Sequence, residues 1–198
     1  MYLGLTTMKI SEKIAKSISA LLLLLFASTN LQADQNDLQL TELFNKLQQA
    51  DSVREARLVE AKIMHIWNLS GDESIDQRMG LSDNAMRVRS FNKALEIVMT
   101  ITEERPEFSE GWNLQATILF FMGRYEESLV SVDKTLTLEP RHFGAMIGKG
   151  DMLVRQGKLK EARLTLQRVM NMYPLHQRVI QRLERIDDAI KTKEGSYV

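Results

Sequence analysis

The sequence predicts an all-α fold, a right-handed solenoid of antiparallel helix pairs. Three observations support this class. All three prolines of the chain, Pro106, Pro140 and Pro174, share one spacing, since 140 − 106 and 174 − 140 both equal 34 residues. The segments between them carry small and apolar residues at matching positions, and no stretch keeps the two-residue alternation of a half-buried strand. A fixed period of this length is typical of stacked helical repeats.

Composition excludes several classes of protein. The chain has 198 residues, 26 basic and 26 acidic side chains, and 44% hydrophobic residues, so it can bury a core in one ordinary domain. Its zero net charge argues against a strongly basic nucleic-acid binder. It has no cysteine, which excludes disulfides, thiolate metal sites and cysteine nucleophiles.

Residues 1–33 have the three-part layout of a secretory signal peptide. Three lysines between residues 9 and 16 precede an apolar run over 18–27, and a polar stretch then leads to Ala33. The run is too short to cross a bilayer, which takes about 20 apolar residues. We therefore expect cleavage after Ala33, a periplasmic or secreted bacterial protein and no stable membrane span in the mature chain. The alternative is an uncleaved N-terminal anchor.

Residues 34–71 are expected to form a helical hairpin, with helices near 37–49 and 53–69. Ser52 and Glu55 have the spacing of a capping box ahead of the second helix. Each helix carries an apolar stripe. The hairpin is a candidate degenerate fourth repeat, although its residues do not align in phase with the others.

The three repeats span 75–108, 109–142 and 143–174, and each is predicted to contain two helices. Small residues recur at repeat positions 8 and 20, where two helices can approach closely. These residues are Ser82, Ala116 and Gly150, and Ala94, Ser128 and Ala162. Gly123 and Gly157 mark the turn inside the second and third repeats. The expected helices are 75–88, 91–104, 109–122, 125–138, 143–156 and 159–172.

Residues 175–191 are predicted to form a capping helix that closes the open end of the stack. Val179, Leu183 and Ile186 belong to its apolar stripe. Its charged residues, which include Arg178, Arg182 and Arg185, are expected on the outer face. Residues 192–198 are predicted to be a loose tail.

The repeats resemble the tetratricopeptide repeat (TPR) family. The second repeat carries Trp112, Ala116, the run Gly123, Arg124 and Tyr125, and Pro140, while the third carries Gly150, Gly157, Ala162 and Pro174. The segments PEFSEGWNLQAT and LEPRHFGAM are similar to small exported TPR-containing proteins of alphaproteobacteria. This resemblance implies a module that binds other proteins.

The family resemblance also implies a concave groove lined by the first helix of each repeat. Carried over residue by residue, the groove candidates are Met79, Asp83, Met86, Arg87, Glu110, Asn113, Thr117, Phe121, Ile147, Asp151 and Arg155. Phe121 and Met86 are candidates for holding an apolar anchor, Asn113 for bonding a peptide backbone, and Arg87 and Arg155 for meeting carboxylates. Phe121 packed in the core, and Arg155 covering a helix end, are the structural alternatives.

The groove lacks the basic-and-Asn carboxylate clamp with which family members bind heat-shock chaperone tails. Met79, Asn113 and Ile147 occupy repeat position 5, and Asp83 and Asp151 occupy position 9. We therefore expect no recognition of such a tail.

Catalytic chemistry has little support in the sequence. His65, His142 and His176 belong to no metal-ligand spacing, and His142 is expected to be a hydrogen-bonded turn residue. There is no glycine-rich phosphate loop and no nucleophile elbow. We predict no catalytic residue, no cofactor and no metal. The predicted function is an exported module that holds a protein or peptide partner, with a self-associating homo-oligomer as the alternative and a hydrolytic or metal-dependent enzyme as a remote one.

Overall fold

The computed structural model describes residues 39–195, which form an all-α solenoid of helical repeats. Within this range there is no β-strand. The predicted signal peptide, residues 1–33, lies outside the described residues. None of the helices between residues 39 and 195 has the length and apolar character needed to cross a membrane.

Nine helices occur in the described part of the chain. They are α1 Gln39–Gln48, α2 Val53–Trp67, α3 Glu73–Arg87, α4 Phe91–Glu104, α5 Ser109–Phe121, α6 Tyr125–Leu138, α7 Phe143–Arg155, α8 Leu159–Met172 and α9 Gln177–Gly195. Helices α3 to α8 form the three repeats as successive pairs, and each pair also packs on the next. Helix α1 pairs with α2, and α9 packs on α8.

Small side chains let the two helices of each repeat approach closely. The Ser82 hydroxyl donates to the Ala94 carbonyl at 2.9 Å, and the Ser128 hydroxyl donates to the Ala116 carbonyl at 2.7 Å. In the third repeat, a Cβ on Gly150 would lie 2.9 Å from a methyl carbon of Leu166. A larger residue at position 150 would require the Leu166 side chain to move.

The turn inside each repeat requires a left-handed backbone conformation. Gly123 and Gly157 take φ values of +77° and +73° there. Arg89 occupies the equivalent position of the first repeat and has a φ of +61°. Because a side chain disfavours this conformation, the first repeat carries local strain that the other two avoid.

Several helix ends differ from the predicted bounds, and two of these differences have a local structural cause. Helix α3 begins at Glu73 rather than at 75, because the Asp72 carboxylate caps it by accepting the Ser74 backbone N–H at 2.8 Å. Helix α9 continues to Gly195, so the predicted loose tail is wrong for residues 192–195. No glycine or proline interrupts this helix before Gly195.

The N-terminal hairpin does not extend the stack as a fourth repeat. Its residues share a core with the third repeat and α9, whereas the core of the first repeat contains none of them. The Gln48 side-chain amide donates to the Asn171 carbonyl at 2.9 Å, and the Tyr173 hydroxyl donates to Glu60 at 2.9 Å. The hairpin therefore lies against the far end of the array, more than 100 residues away in sequence.

Candidate functional site

Helices α5 and α7 frame a small depression, which we call the apolar pocket, with a volume of about 190 Å³. Its lining includes Asn113, Thr117 and Phe120 of α5 and Ile147, Gly148 and Asp151 of α7. Four of the predicted groove residues, Asn113, Thr117, Ile147 and Asp151, thus meet here. Sites for small molecules usually measure about 300–1,000 Å³, so this pocket suits a single side chain better than a whole small ligand.

A glycine keeps the apolar pocket open. A Cβ built on Gly148 would have no atom within 4 Å, so the space beside this residue is free in the described structure. Any larger residue at position 148 would project into that space. Position 148 lies inside the predicted helix 143–156, and Gly148 was not among the predicted groove residues.

Polar groups at the rim of the apolar pocket are held in place by the protein. The Asn113 side-chain amide donates to Glu110 at 2.9 Å, and the Thr117 hydroxyl donates to the Asn113 backbone carbonyl at 2.9 Å. Among residues 39–195, the Asn113 side-chain oxygen has no hydrogen-bond donor. It can therefore accept an N–H group from a bound peptide backbone.

Glu110 was predicted to line the groove, and the structure corrects this. Its side chain is buried, with 6% exposure, and Nε2 of His142 lies 2.8 Å from its carboxylate. Nδ1 of His142 accepts the Ala145 backbone N–H at 3.1 Å, so Nε2 carries the hydrogen and donates to Glu110. This charge-assisted bond satisfies the buried carboxylate and fixes the group that holds Asn113.

Trp67 of the hairpin stacks on His142, with ring centroids 4.3 Å apart and planes at 10°. A continuous set of contacts therefore runs from the hairpin through His142 and Glu110 to Asn113. Periodicity could not reveal this connection, because Trp67 lies outside the repeats.

Two histidines, each directly before a helix, share one role. His142 and His176 lie 34 residues apart, which is one repeat length, and the Nδ1 of His176 accepts the Val179 backbone N–H at 3.3 Å. Both residues cap the N-terminus of the following helix. His142 is thus the hydrogen-bonded turn residue that was expected, and the 34-residue spacing of the two histidines is the sequence signal for this shared role.

A second depression, the basic cleft, lies between α7 and α9 and has a volume of about 440 Å³. Arg178, Arg182 and Arg185 of α9 line it together with Asp151 of α7. Arg182 donates two hydrogen bonds to Asp151, at 2.8 and 2.9 Å. Arg178 and Arg185 are exposed, as expected for the outer face of the capping helix, and Arg182 is half-buried. Their spacing of four and three residues places all three along the side of α9 that borders the cleft.

Asp151 also lines the apolar pocket, so one residue connects the two depressions. Its carboxylate is occupied by Arg182 and is not an open acceptor for a cationic ligand.

The groove candidates of the first repeat do not contribute to the apolar pocket. Met79 is buried in the core shared with α5, and Met86 packs against the same core. Asp83 and Arg87 form an ion pair on α3 at 2.6 Å. The Arg87 side chain is exposed and lies against Asp83 of its own helix, outside the apolar pocket.

Two further candidates lie toward the turn between paired helices. Phe121 is 58% exposed and stacks on Phe91, with centroids 6.0 Å apart. The Arg155 guanidinium lies over the rings of Phe120 and Tyr125, at 5.3 and 5.5 Å. These cation–π contacts hold the Arg155 guanidinium against the two aromatic rings. Phe121 lies neither in the core nor in the lining of the apolar pocket. Within the described residues, no group of three or more His, Asp or Glu side chains is placed to hold a metal ion.

The architecture defines the class: a helical-repeat protein with a recessed surface on the first helices of its second and third repeats. The sequence is 30% identical over 136 residues to a TPR repeat-containing protein of Rhizobium etli, an alignment that covers 69% of this chain and 67% of the relative. The chain belongs to the TPR repeat-containing proteins. No protein-family model matches the sequence.

Solved TPR structures share the fold. The first TPR domain of Spaghetti bound to an HSP90 peptide superposes with a TM-score of 0.57 at 14% identity, covering 59% of this chain and 93% of that one. A double mutant of MamA gives a TM-score of 0.57 at 24% identity, covering 62% and 69%. A second MamA mutant gives 0.52 at 12% identity, covering 78% and 87%. At these identities the likeness is one of fold.

Proposed function

We propose that this TPR protein is an exported adaptor that holds a peptide segment of a partner protein against α5 and α7. The observation that carries the proposal is the apolar pocket, a recess for one side chain with an open hydrogen-bond acceptor at its rim. An extended peptide needs both features, an anchor for a side chain and partners for its backbone. TPR modules generally act by binding proteins rather than by catalysis, and the Spaghetti domain named above binds a peptide.

Gly148 provides a direct test, because a larger side chain at this position would occupy the apolar pocket without displacing neighbouring side chains. Gly148→Leu should fold normally, since its Cβ meets open space and leucine favours a helix more than glycine does. Gly80→Leu is the matched control: Gly80 has the same repeat position in α3, also has no atom within 4 Å of a Cβ, and lies outside the pocket.

Peptides that bind the full chain would be selected from a random twelve-residue library, and their affinities measured by fluorescence anisotropy. We expect Gly148→Leu to weaken binding at least about tenfold, equivalent to about 1.4 kcal/mol, while Gly80→Leu leaves it within about twofold. Equal affinities for both variants, or a library that yields no binder, would contradict the proposed function.

The compartment is part of the proposal and rests on the predicted leader at residues 1–33. Fractionation of the native host should place the protein outside the cytoplasm, with an N-terminus created by cleavage near Ala33. A cytoplasmic protein that retains its leader would remove export from the proposal and leave the peptide-binding part standing.

A further inference from the structure

The geometry points to the chemistry of the partner: we propose that the basic cleft selects a peptide segment with two acidic side chains, which pair with Arg178 and Arg185. This inference rests on the proposed function. It adds a specificity that the apolar pocket alone cannot supply.

The cleft has more positive charge than its own residues neutralise. Three arginines and one aspartate line it, and Arg182 is the arginine that pairs with Asp151. Arg178 and Arg185 are exposed and form no ion pair with any other residue in 39–195. Since the chain as a whole has no net charge, this concentration is local. Guanidinium groups bind carboxylates through paired hydrogen bonds, so the matching ligand is a carboxylate.

The surroundings of each arginine bear on how it can act. Arg178 also borders a separate cavity that contains Glu60 and His176, but it makes no hydrogen bond or ion pair with either of them. Arg182 is fixed in the cleft by its two bonds to Asp151. Arg178 and Arg185 therefore flank a fixed arginine and offer two separate positions for a ligand.

The distance between Arg178 and Arg185 sets the distance between the two acidic residues of the peptide. Seven residues of helix separate Arg178 from Arg185, which corresponds to about 10 Å along the axis at about 1.5 Å per residue. An extended peptide advances about 3.3 Å per residue. Carboxylates two or three residues apart in the peptide match this distance once side-chain reach is included.

The order of features in the ligand follows from Asp151, which borders both depressions. A peptide that places an apolar side chain in the pocket continues past the Asp151–Arg182 pair into the basic cleft. The preferred segment is therefore one apolar anchor adjacent to an acidic pair. Side-chain carboxylates suffice for this arrangement, and a free C-terminal carboxylate is not required.

The test uses peptides from the library selection described above. Binders should be enriched in Asp or Glu at a spacing of two or three residues. One such peptide would be synthesised with an amidated C-terminus in its acidic form and with Gln in place of each acidic residue. A third version of the acidic peptide would carry a free C-terminus.

The proteins compared are the unmodified chain, the double variant Arg178→Glu with Arg185→Glu, and the control double variant Lys134→Glu with Arg168→Glu. The control makes the same change in net charge at exposed residues of α6 and α8, outside both depressions. Circular dichroism first establishes that both variants are folded.

We expect the unmodified chain to bind the amidated acidic peptide at least about tenfold more tightly than the Gln peptide. The Arg178/Arg185 variant should lose this preference, the control should keep it, and added salt should reduce it. Equal binding of acidic and Gln peptides, an equal loss in both double variants, or binding that requires the free C-terminus would overturn the inference.

The two proposals fail in different ways. Peptides whose binding is lost in Gly148→Leu but shows no acidic preference would refute the inference and support the proposed function. A library that yields no binder would refute both.

Discussion

The first and third repeats share one sequence pattern but lie in different surroundings. Helices α3 and α4 share their core with α5 alone. Leu81 on α3 is 58% exposed, and Val88, directly after α3, is 77% exposed. Helices α7 and α8 share a larger core with both hairpin helices and with α9. In a repeat protein, stability is approximately the sum of each repeat's own stability and its interfaces. The third repeat should therefore be the more stable end of the array.

This contrast also explains where the recessed surface lies. The apolar pocket and basic cleft are both bordered by α7, the helix whose position is set by neighbours on several sides. The first repeat, with strain at Arg89 and one packed side, offers no comparable recess among its groove candidates. Because α7 is already held by its neighbours, less conformational entropy is lost when a ligand binds to a surface on this helix.

Removing the hairpin's main contact should have the largest effect, because it should abolish the difference in stability between the first and third repeats. Trp67 is fully buried and packs on His142 and Phe143, with the Phe143 ring centroid 5.0 Å away. Trp67→Ala should cost about 3–5 kcal/mol of unfolding free energy, measured by chemical denaturation. Hydrogen exchange should then rise more in α7 and α8 than in α3 and α4.

Two variants control for this result. Trp67→Phe keeps an aromatic ring and removes Nε1, which has no hydrogen-bond partner among the described residues, so it should lose much less stability. Trp112→Ala makes the same chemical change at a half-buried residue of α5. If Trp67→Ala raised exchange equally in all three repeats, the difference between the two ends would not come from the hairpin.

Relieving the backbone strain at Arg89 should also reduce the difference in stability between the first and third repeats, but by a smaller amount. Arg89→Gly places in the first repeat the residue that the other two have at this turn. We expect an increase of up to about 1 kcal/mol in unfolding free energy, because the relief of positive-φ strain exceeds the entropy added to the unfolded chain. Thermal denaturation would measure it, and Gly123→Arg should have the opposite sign. A lower melting temperature for Arg89→Gly would show that this turn is not strained.

The smallest expected effect is limited to acidic pH and to the third repeat's end. Burial lowers the pKa of His176 below its reference value of 6.5, Arg178 and Arg182 add to this, and Glu60 opposes it. As the pH falls, His176 is therefore protonated at a higher pH in the unfolded chain than in the folded chain. Stability from this residue is full above the reference pKa and falls as the pH drops through it toward the lower folded-state pKa.

Denaturation at several pH values would measure this contribution. His176→Asn keeps a capping acceptor for the Val179 N–H and should flatten the profile between neutral and mildly acidic pH. His65→Asn, at an exposed position of α2, is the control and should leave the profile unchanged. Identical profiles for the unmodified chain and His176→Asn would rule out this source of acid sensitivity.

Local sequence patterns predicted much of the fold. The proline period, the small residues at repeat positions 8 and 20, and the glycines at the turns placed all six repeat helices to within two residues. The Ser52 cap was also correct, since its hydroxyl accepts the Glu55 backbone N–H at 3.2 Å. These features are encoded by neighbouring residues, which is why periodicity reveals them.

The candidate site was predicted only in part. Asn113, Thr117, Ile147 and Asp151 lie where the family's repeat positions placed them, around one pocket. Glu110 occupies a repeat position that lines the groove in the family. His142, 32 residues further along the chain, gives it a buried partner instead. Met79 has a groove position as well, but it is buried in the core that α3 shares with α4 and α5.

The sequence by itself determined the repeat length, the ends of the six repeat helices to within two residues, and the family, because each depends on residues within one or two repeats. The tertiary structure alone decided that the hairpin lies against the third repeat, that Glu110 is buried and that three arginines of α9 face α7. Each of these depends on contacts between elements whose packing is settled by side-chain shape and burial. Such contacts leave no period in the sequence, since the residues involved occur once and far apart.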